Sequence, residues 1–265
     1  MRHILTAGIA GLIILICNAS PPSDSNAELL AAIAPDAYAG QDSLGRHKTI
    51  VGDDTVYSTY MIYPGERRHL DEDDYEAVAQ RLDVEVPAMK AVVKIEAGST
   101  GRGFSKEGPA LINFDLSVFR RNAARRGINL EKYRKSHPEV FKAPDIRKYG
   151  SQQAAQNARL ESALEIDSVL AIESSFWGMF QIGGFNWKLC GTSSPQEFMR
   201  RMETSEQEQL NLFANFLENT GLVKHMRTRN WAAFARGYNG PSYAARKYHT
   251  RLSTAYANAK KQARN

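Results

Sequence analysis

PAMKAVVKIEAG, residues 87–98, reads as one short amphipathic helix, and that reading sets the class of the whole chain. Pro87 suits a first helical turn, where a missing N–H costs nothing, and Gly98 suits the residue just past the last turn. Ala88, Val92 and Ile95 fall on one face of such a helix, with Met89, Val93 and Glu96 on the adjoining one. Glu96 therefore emerges at the last turn, beside apolar neighbours and near the negative end of the helix dipole. Both surroundings penalise the ionised carboxylate and raise its pKa. That is the state a general acid requires.

Helical signals extend to both sides of this segment. Upstream, Asp71 is placed to cap DEDDYEAVAQRL, whose first turn is acidic. Downstream a glycine-rich loop leads to a short strand, LINF (residues 111–114), and a helix from Leu116 through Arg126. Residues 127–150, with Pro138, Pro144 and Gly150, read as irregular, and residues 151–174 read as one long helical region. Helices around 195–218, 231–236 and 241–257 follow. Before the first helix, KTIV and TVYSTYMIY flank Gly52-Asp53-Asp54, a pattern that predicts a hairpin within residues 47–63. The fold class is thus mainly α (α+β), a helical domain with a small β element and an N-terminal extension.

At 265 residues and 43% apolar composition the chain can bury a proper core, which excludes disorder for most of it. Arg2 and His3 precede an apolar run of 13 residues, Ile4 to Ile16. A membrane-spanning helix needs about 20, so residues 1–19 are expected to be a signal peptide and the protein to be exported to the periplasm or cell envelope. Two outcomes are open at its end: cleavage after Ala19, or a lipid-bearing Cys17 that anchors the chain. Either one leaves Cys190 without an intramolecular partner, so it reads as a small core residue. The remaining divisions are an extension at 20–69, a domain at 70–257 and a basic tail at 258–265. The net charge of +5 is uneven: from Asn219 onward there are 10 Lys or Arg and no Asp or Glu. Such a face suits nucleic acid, an anionic membrane surface or cell-wall polyanions, and reads equally as a plain solvated basic surface; export and the lack of any nucleic-acid-reading motif argue against nucleic acid.

Two further segments carry polar groups where apolar ones would pack. In Trp177-Gly178-Met179-Phe180-Gln181-Ile182 the amide of Gln181 interrupts an apolar run and must be hydrogen-bonded or face a binding site. In Arg236-Gly237-Tyr238-Asn239-Gly240 the glycines permit close approach, while Tyr238 and Asn239 offer hydrogen-bond donors to a polar ligand. Each segment alone has a plainer reading, as core or as a turn.

Taken in order, an early Glu before Ala-Gly-Ser, a G-x-x-Q-I segment and Y-N-G resemble the lysozyme and lytic transglycosylase superfamily. SSFWGMFQIGGFNWKLCG (174–191), TSSPQEFMRRMETSEQEQL (192–210) and NWAAFARGYNGPSYAARKYHTRL (230–252) resemble more closely the N-acetylmuramidase domain of phage endolysins. The similarity runs from about Asp71 to Ala257. It implies a lysozyme-like helical fold, no metal or organic cofactor, and hydrolysis of the β-1,4 bond between N-acetylmuramic acid and N-acetylglucosamine in peptidoglycan. The family's acid falls on Glu96. Its second carboxylate is typically a Glu in a phrase such as I-L-F-E, where this sequence has LINFD and hence Asp115. Asp115 is equally placed to cap the helix at Leu116. Trp177, Gln181, Arg236, Tyr238 and Asn239 are the expected sugar-binding residues.

Glu173 sits in a similar Glu-Ser-Ser setting a few residues before WGMFQI, but the resemblance implies an acid on an earlier, separate helix. The histidines show no metal-ligand spacing. The expected partner is the peptidoglycan glycan strand, met by a monomer whose sole tie to a membrane would be a lipid on Cys17. A lytic transglycosylase that leaves 1,6-anhydro ends, and a non-catalytic wall-binding lipoprotein, are the alternatives.

Overall fold

The computed structural model describes residues 47–51, 54–58, 69–98, 101–106 and 108–263. The expected signal peptide, Cys17 and most of the extension lie outside the described residues, as do Gly52 and Asp53 of the expected turn. The strands flanking that turn are present, β1 (His47–Val51) and β2 (Asp54–Ser58), paired antiparallel with Val51 opposite Asp54.

The helical domain begins with α1 (Glu72–Leu82) and α2 (Val86–Glu96). Asp71 caps α1 in a reciprocal box with Asp74, so the acidic first turn anticipated from sequence is built as expected. Strand β3 (Ile112–Phe114) leads directly into α3 (Leu116–Arg125). Residues 127–150 are not wholly irregular, because a 3-10 turn (Leu130–Tyr133) and two single-turn α-helices form there, α4 (Pro138–Phe141) and α5 (Ile146–Tyr149). Pro138 starts the first, and the Asp145 side chain caps the second through the Lys148 N–H. The region read as one long helix is two, α6 (Gln152–Leu164) and α7 (Ser168–Glu173). Asp167 breaks it: its carboxylate accepts from Leu170 N at 2.7 Å and starts a new helix.

Beyond α7 come β4 (Ser175–Trp177) and β5 (Ile182–Gly183), which with β3 form an antiparallel sheet in the order β3-β4-β5. Ile112 pairs with Trp177, and Trp177 in turn with Ile182. The WGMFQI segment is therefore a hairpin with Gly178–Gln181 as its turn. Gly178 and Gln181 both take positive φ, 68° and 49°, which an L side chain at position 181 adopts at some cost.

The domain closes with α8 (Pro195–Met202), α9 (Glu206–Asn219), α10 (Val223–Arg227), α11 (Trp231–Asn239) and α12 (Tyr248–Gln262). Ser205 caps α9 and separates it from α8. Helix α12 runs on to Gln262, past the point where the sequence reading began a tail. It packs along α2, while α9 sits against α8 and α1 with Leu210, Leu212, Phe213, Ala214, Phe216 and Leu217 all buried. Cys190 lies in this core as expected, its thiol pushed up to about 12 by burial.

Candidate active site

Glu96 is the last residue of α2. Ala88, Met89, Val92 and Val93 of the same helix are buried, whereas Glu96 itself is half-buried and keeps a window on solvent. Protein packs around the rest of the side chain, and this desolvation raises its pKa from 4.5 to about 7. Two groups work against burial: a hydrogen bond from Asn239 and the charge of Arg251. The Asn239 Nδ2 donates to Glu96 Oε1 at 3.2 Å, and Oε2 has no partner among the described residues. One carboxyl oxygen is thus held while the other is left to carry a proton.

Asn239 ends α11, and its neighbour Tyr238 points the other way. Tyr238 is 1% exposed, so as a sugar-binding side chain it is corrected. Its hydroxyl donates to Phe180 O at 3.1 Å, and its ring stands edge-on to Phe213 and Phe216. Burial pushes the phenol pKa well up, with the nearby Glu96 charge adding to it. Tyr238 therefore ties the Gly178–Gln181 turn to the helix end that holds Glu96. Phe180 completes the tie by stacking on Phe213 with ring centroids 4.1 Å apart.

Trp177 needs the same correction. It is 1% exposed, its indole N–H donates to Ile172 O at 3.1 Å, and its ring packs edge-on against Phe198. A tryptophan in a strand buried on both faces has no surface to offer a sugar. Gln181 is half-buried, and its amide nitrogen donates to Gly178 O at 2.9 Å across the turn. Arg236 is exposed one turn before Asn239 on α11, beside it on the same helix face.

Asp115 caps α3 as its sequence position suggested. Oδ1 accepts from Ser117 N at 2.8 Å and Val118 N at 3.0 Å, and Oδ2 makes no hydrogen bond among the described residues. The backbone N–H of Asp115 bonds Ser174 O at 2.9 Å, next to Glu173. Glu173 is engaged elsewhere, in an ion pair with Arg126 and as acceptor from Trp187 Nε1 at 3.2 Å. Burial raises its pKa too, against the pull of Arg126.

The sequence reading missed Arg251, on the exposed face of α12 with its guanidinium over the Tyr248 ring. It also missed Arg159, buried beneath β3, where it donates to Phe114 O and lies over the Phe114 ring. Burial lowers the Arg159 pKa and the Asp115 charge opposes that shift. No motif marks either residue. A cavity of about 440 Å³ lies at the other end of α2, between Glu85 and Arg229. The residues lining it pair with one another, Arg229 with Glu85 at 2.7 Å, and it is some 15 Å from Glu96 at the helical rise of ~1.5 Å per residue.

Glu96 can do acid catalysis: it is a half-buried carboxyl poised near neutral pH and held through one oxygen. The profile of the N-acetylmuramidase family matches residues 85–260. No curated protein matches the chain. Among solved structures the chain is similar to the endolysin of Burkholderia AP3 phage, with 31% identity and a TM-score of 0.61, covering 75% of this chain and 73% of that one. Glu96, Asp115 and the Gly178–Gln181 turn all lie within the matched residues, and the chain belongs to the N-acetylmuramidase family of peptidoglycan hydrolases.

Proposed function

We propose that the protein is a muramidase that hydrolyses the β-1,4 bond between N-acetylmuramic acid and N-acetylglucosamine, with Glu96 as the general acid. The observation that carries this reading is the half-buried Glu96 carboxyl, held through one oxygen by Asn239 and shifted to about 7. Oε2 donates its proton to the glycosidic oxygen as the bond to the sugar breaks. The Oδ2 of Asp115 then activates a water or stabilises the oxocarbenium-like sugar. Gln181, Arg236 and Asn239 are the side chains offered to the glycan strand. The apolar run Ile4–Ile16 supports the same reading, since this substrate lies outside the cytoplasm.

One observation favours a lytic transglycosylase instead. Asp115 spends Oδ1 on two helix N–H groups, and transglycosylation needs only a single acid/base. Mass spectrometry of the released muropeptides separates the two: water addition leaves reducing muramic acid ends, and internal attack leaves 1,6-anhydro ends. Reducing ends are expected. Asp115→Asn keeps the cap and should lose at least about tenfold in rate, a barrier change of roughly 1.4 kcal/mol. Asp115→Ala should lose about 1 kcal/mol of stability as well. Anhydro products together with a fully active Asp115→Asn enzyme would leave Asp115 only its cap.

Asn239 offers a test through pH. Its N–H favours the ionised Glu96, so the activity that depends on protonated Glu96 falls as pH rises through about 7. In Asn239→Ala that alkaline limb should move to higher pH. A pH profile of kcat/KM with an unmoved limb would separate Asn239 from the acid.

A further inference from the structure

Gln209, in the second turn of α9, is fully buried and makes three hydrogen bonds to three different backbone segments. Its Oε1 accepts from Met179 N at 2.8 Å, and its Nε2 donates to Gly103 O at 3.2 Å and to Met202 O at 2.8 Å. Glu206, one turn earlier and also buried, accepts from Gly103 N at 2.8 Å and meets the His69 ring with its other oxygen. Both polar groups of Gly103 are thus held by one face of α9. Gly103 belongs to the loop that leaves Glu96, and Met179 belongs to the turn that ends in Gln181. The two segments also meet through Leu111, whose N–H bonds Gly103 O and whose carbonyl accepts from Gly178 N. The fit leaves no slack. A Cβ on Gly103 would come within 2.2 Å of Gln209 Oε1, and one on Gly178 within 2.7 Å of the same atom. An apolar side chain would fill this space at lower desolvation cost but would fix neither segment.

We infer that Gln209, with Glu206 beside it, is a positioning residue for the reaction: it sets the spacing between the loop leaving Glu96 and the turn carrying Gln181. This rests on the muramidase reading above, and the test is built so that the two fail separately. Steady-state kinetics and a pH profile are measured on purified peptidoglycan for the wild type, Glu96→Gln, Gln209→Met, Glu206→Ala and Glu206→Gln, each checked by circular dichroism and assayed well below its melting temperature. Wild type that releases no muropeptides would sink the muramidase reading itself. Given an active wild type, folded Gln209→Met should lose at least about tenfold in kcat with KM changed less than about threefold. Its alkaline limb should move to lower pH, because a loosened loop admits water to the Glu96 carboxyl. Glu206→Gln keeps an acceptor for Gly103 N and should retain kcat where Glu206→Ala loses it. A folded Gln209→Met enzyme with wild-type kcat and pH profile overturns the inference. If Gln209→Met does not fold, the Glu206 pair decides, and equal kcat in its two variants overturns the inference as well.

Discussion

Glu96→Gln is expected to abolish peptidoglycan turnover while making the protein more stable at alkaline pH. Glutamine keeps the shape and an oxygen for Asn239 Nδ2 but has no proton to give. Loss of a general acid costs about a hundredfold to ten-thousandfold in rate. The stability gain follows from the same burial. Below pH 4.5 the Glu96 carboxyl is neutral in the folded and unfolded chains alike. Between 4.5 and about 7 the unfolded chain ionises first, and above that the folded chain must hold a desolvated charge. The raised pKa therefore contributes stability that is present at low pH and lost as pH rises through this window. The gap corresponds to roughly 3 kcal/mol at most, since relaxation around the charge relieves part of it. Thermal melts at pH 4 and pH 8 should show Glu96→Gln matching the wild type at the first and exceeding it at the second. A variant that keeps about a tenth of the wild-type rate would remove Glu96 from the acid's role. Glu173→Gln serves as the control and should keep most of its activity, because Glu173 is paired with Arg126.

Trp177→Ala should be the most damaging substitution to the fold among the residues first read as sugar contacts. A buried tryptophan truncated to alanine costs about 3–5 kcal/mol. Here the loss also strands Ile172 O, which accepts the indole N–H, and empties the space beside Phe198. The expected signature is a fall of many degrees in melting temperature, with KM near normal for enzyme assayed cold and folded. Trp177→Phe should fall between the two. If Trp177→Phe instead raised KM severalfold at an unchanged melting temperature, the indole would face substrate after all.

Trp177 and Tyr238 show where sequence stops being informative. An aromatic side chain that stacks on sugar and one that fills a core are the same residue type, and the difference lies in which face of a hairpin or helix is covered. The period of α2, in contrast, was enough to put Glu96 at a helix end among apolar side chains, because both the face and the terminus are local properties. Asp115 was legible as a cap for the same reason. Asp167 was not, since an aspartate within a helical run reads equally as a solvated residue or as a new start. Gln209 and Glu206 were invisible: these residue types are mostly exposed, and their burial depends on a loop and a turn far away in sequence.

The packing of α12 along α2 bears on how the site comes into being. Glu96 acquires its neighbours from Asn239 and Arg251, elements made long after α2. Contacts of such large sequence separation form late in folding. A ribosome-bound chain that has released α2 but not α12 carries an ordinary, ionised glutamate at position 96, unable to act as an acid. The raised pKa of Glu96 is therefore a property of the assembled domain, in which packing outweighs the opposing pull of Asn239 and Arg251.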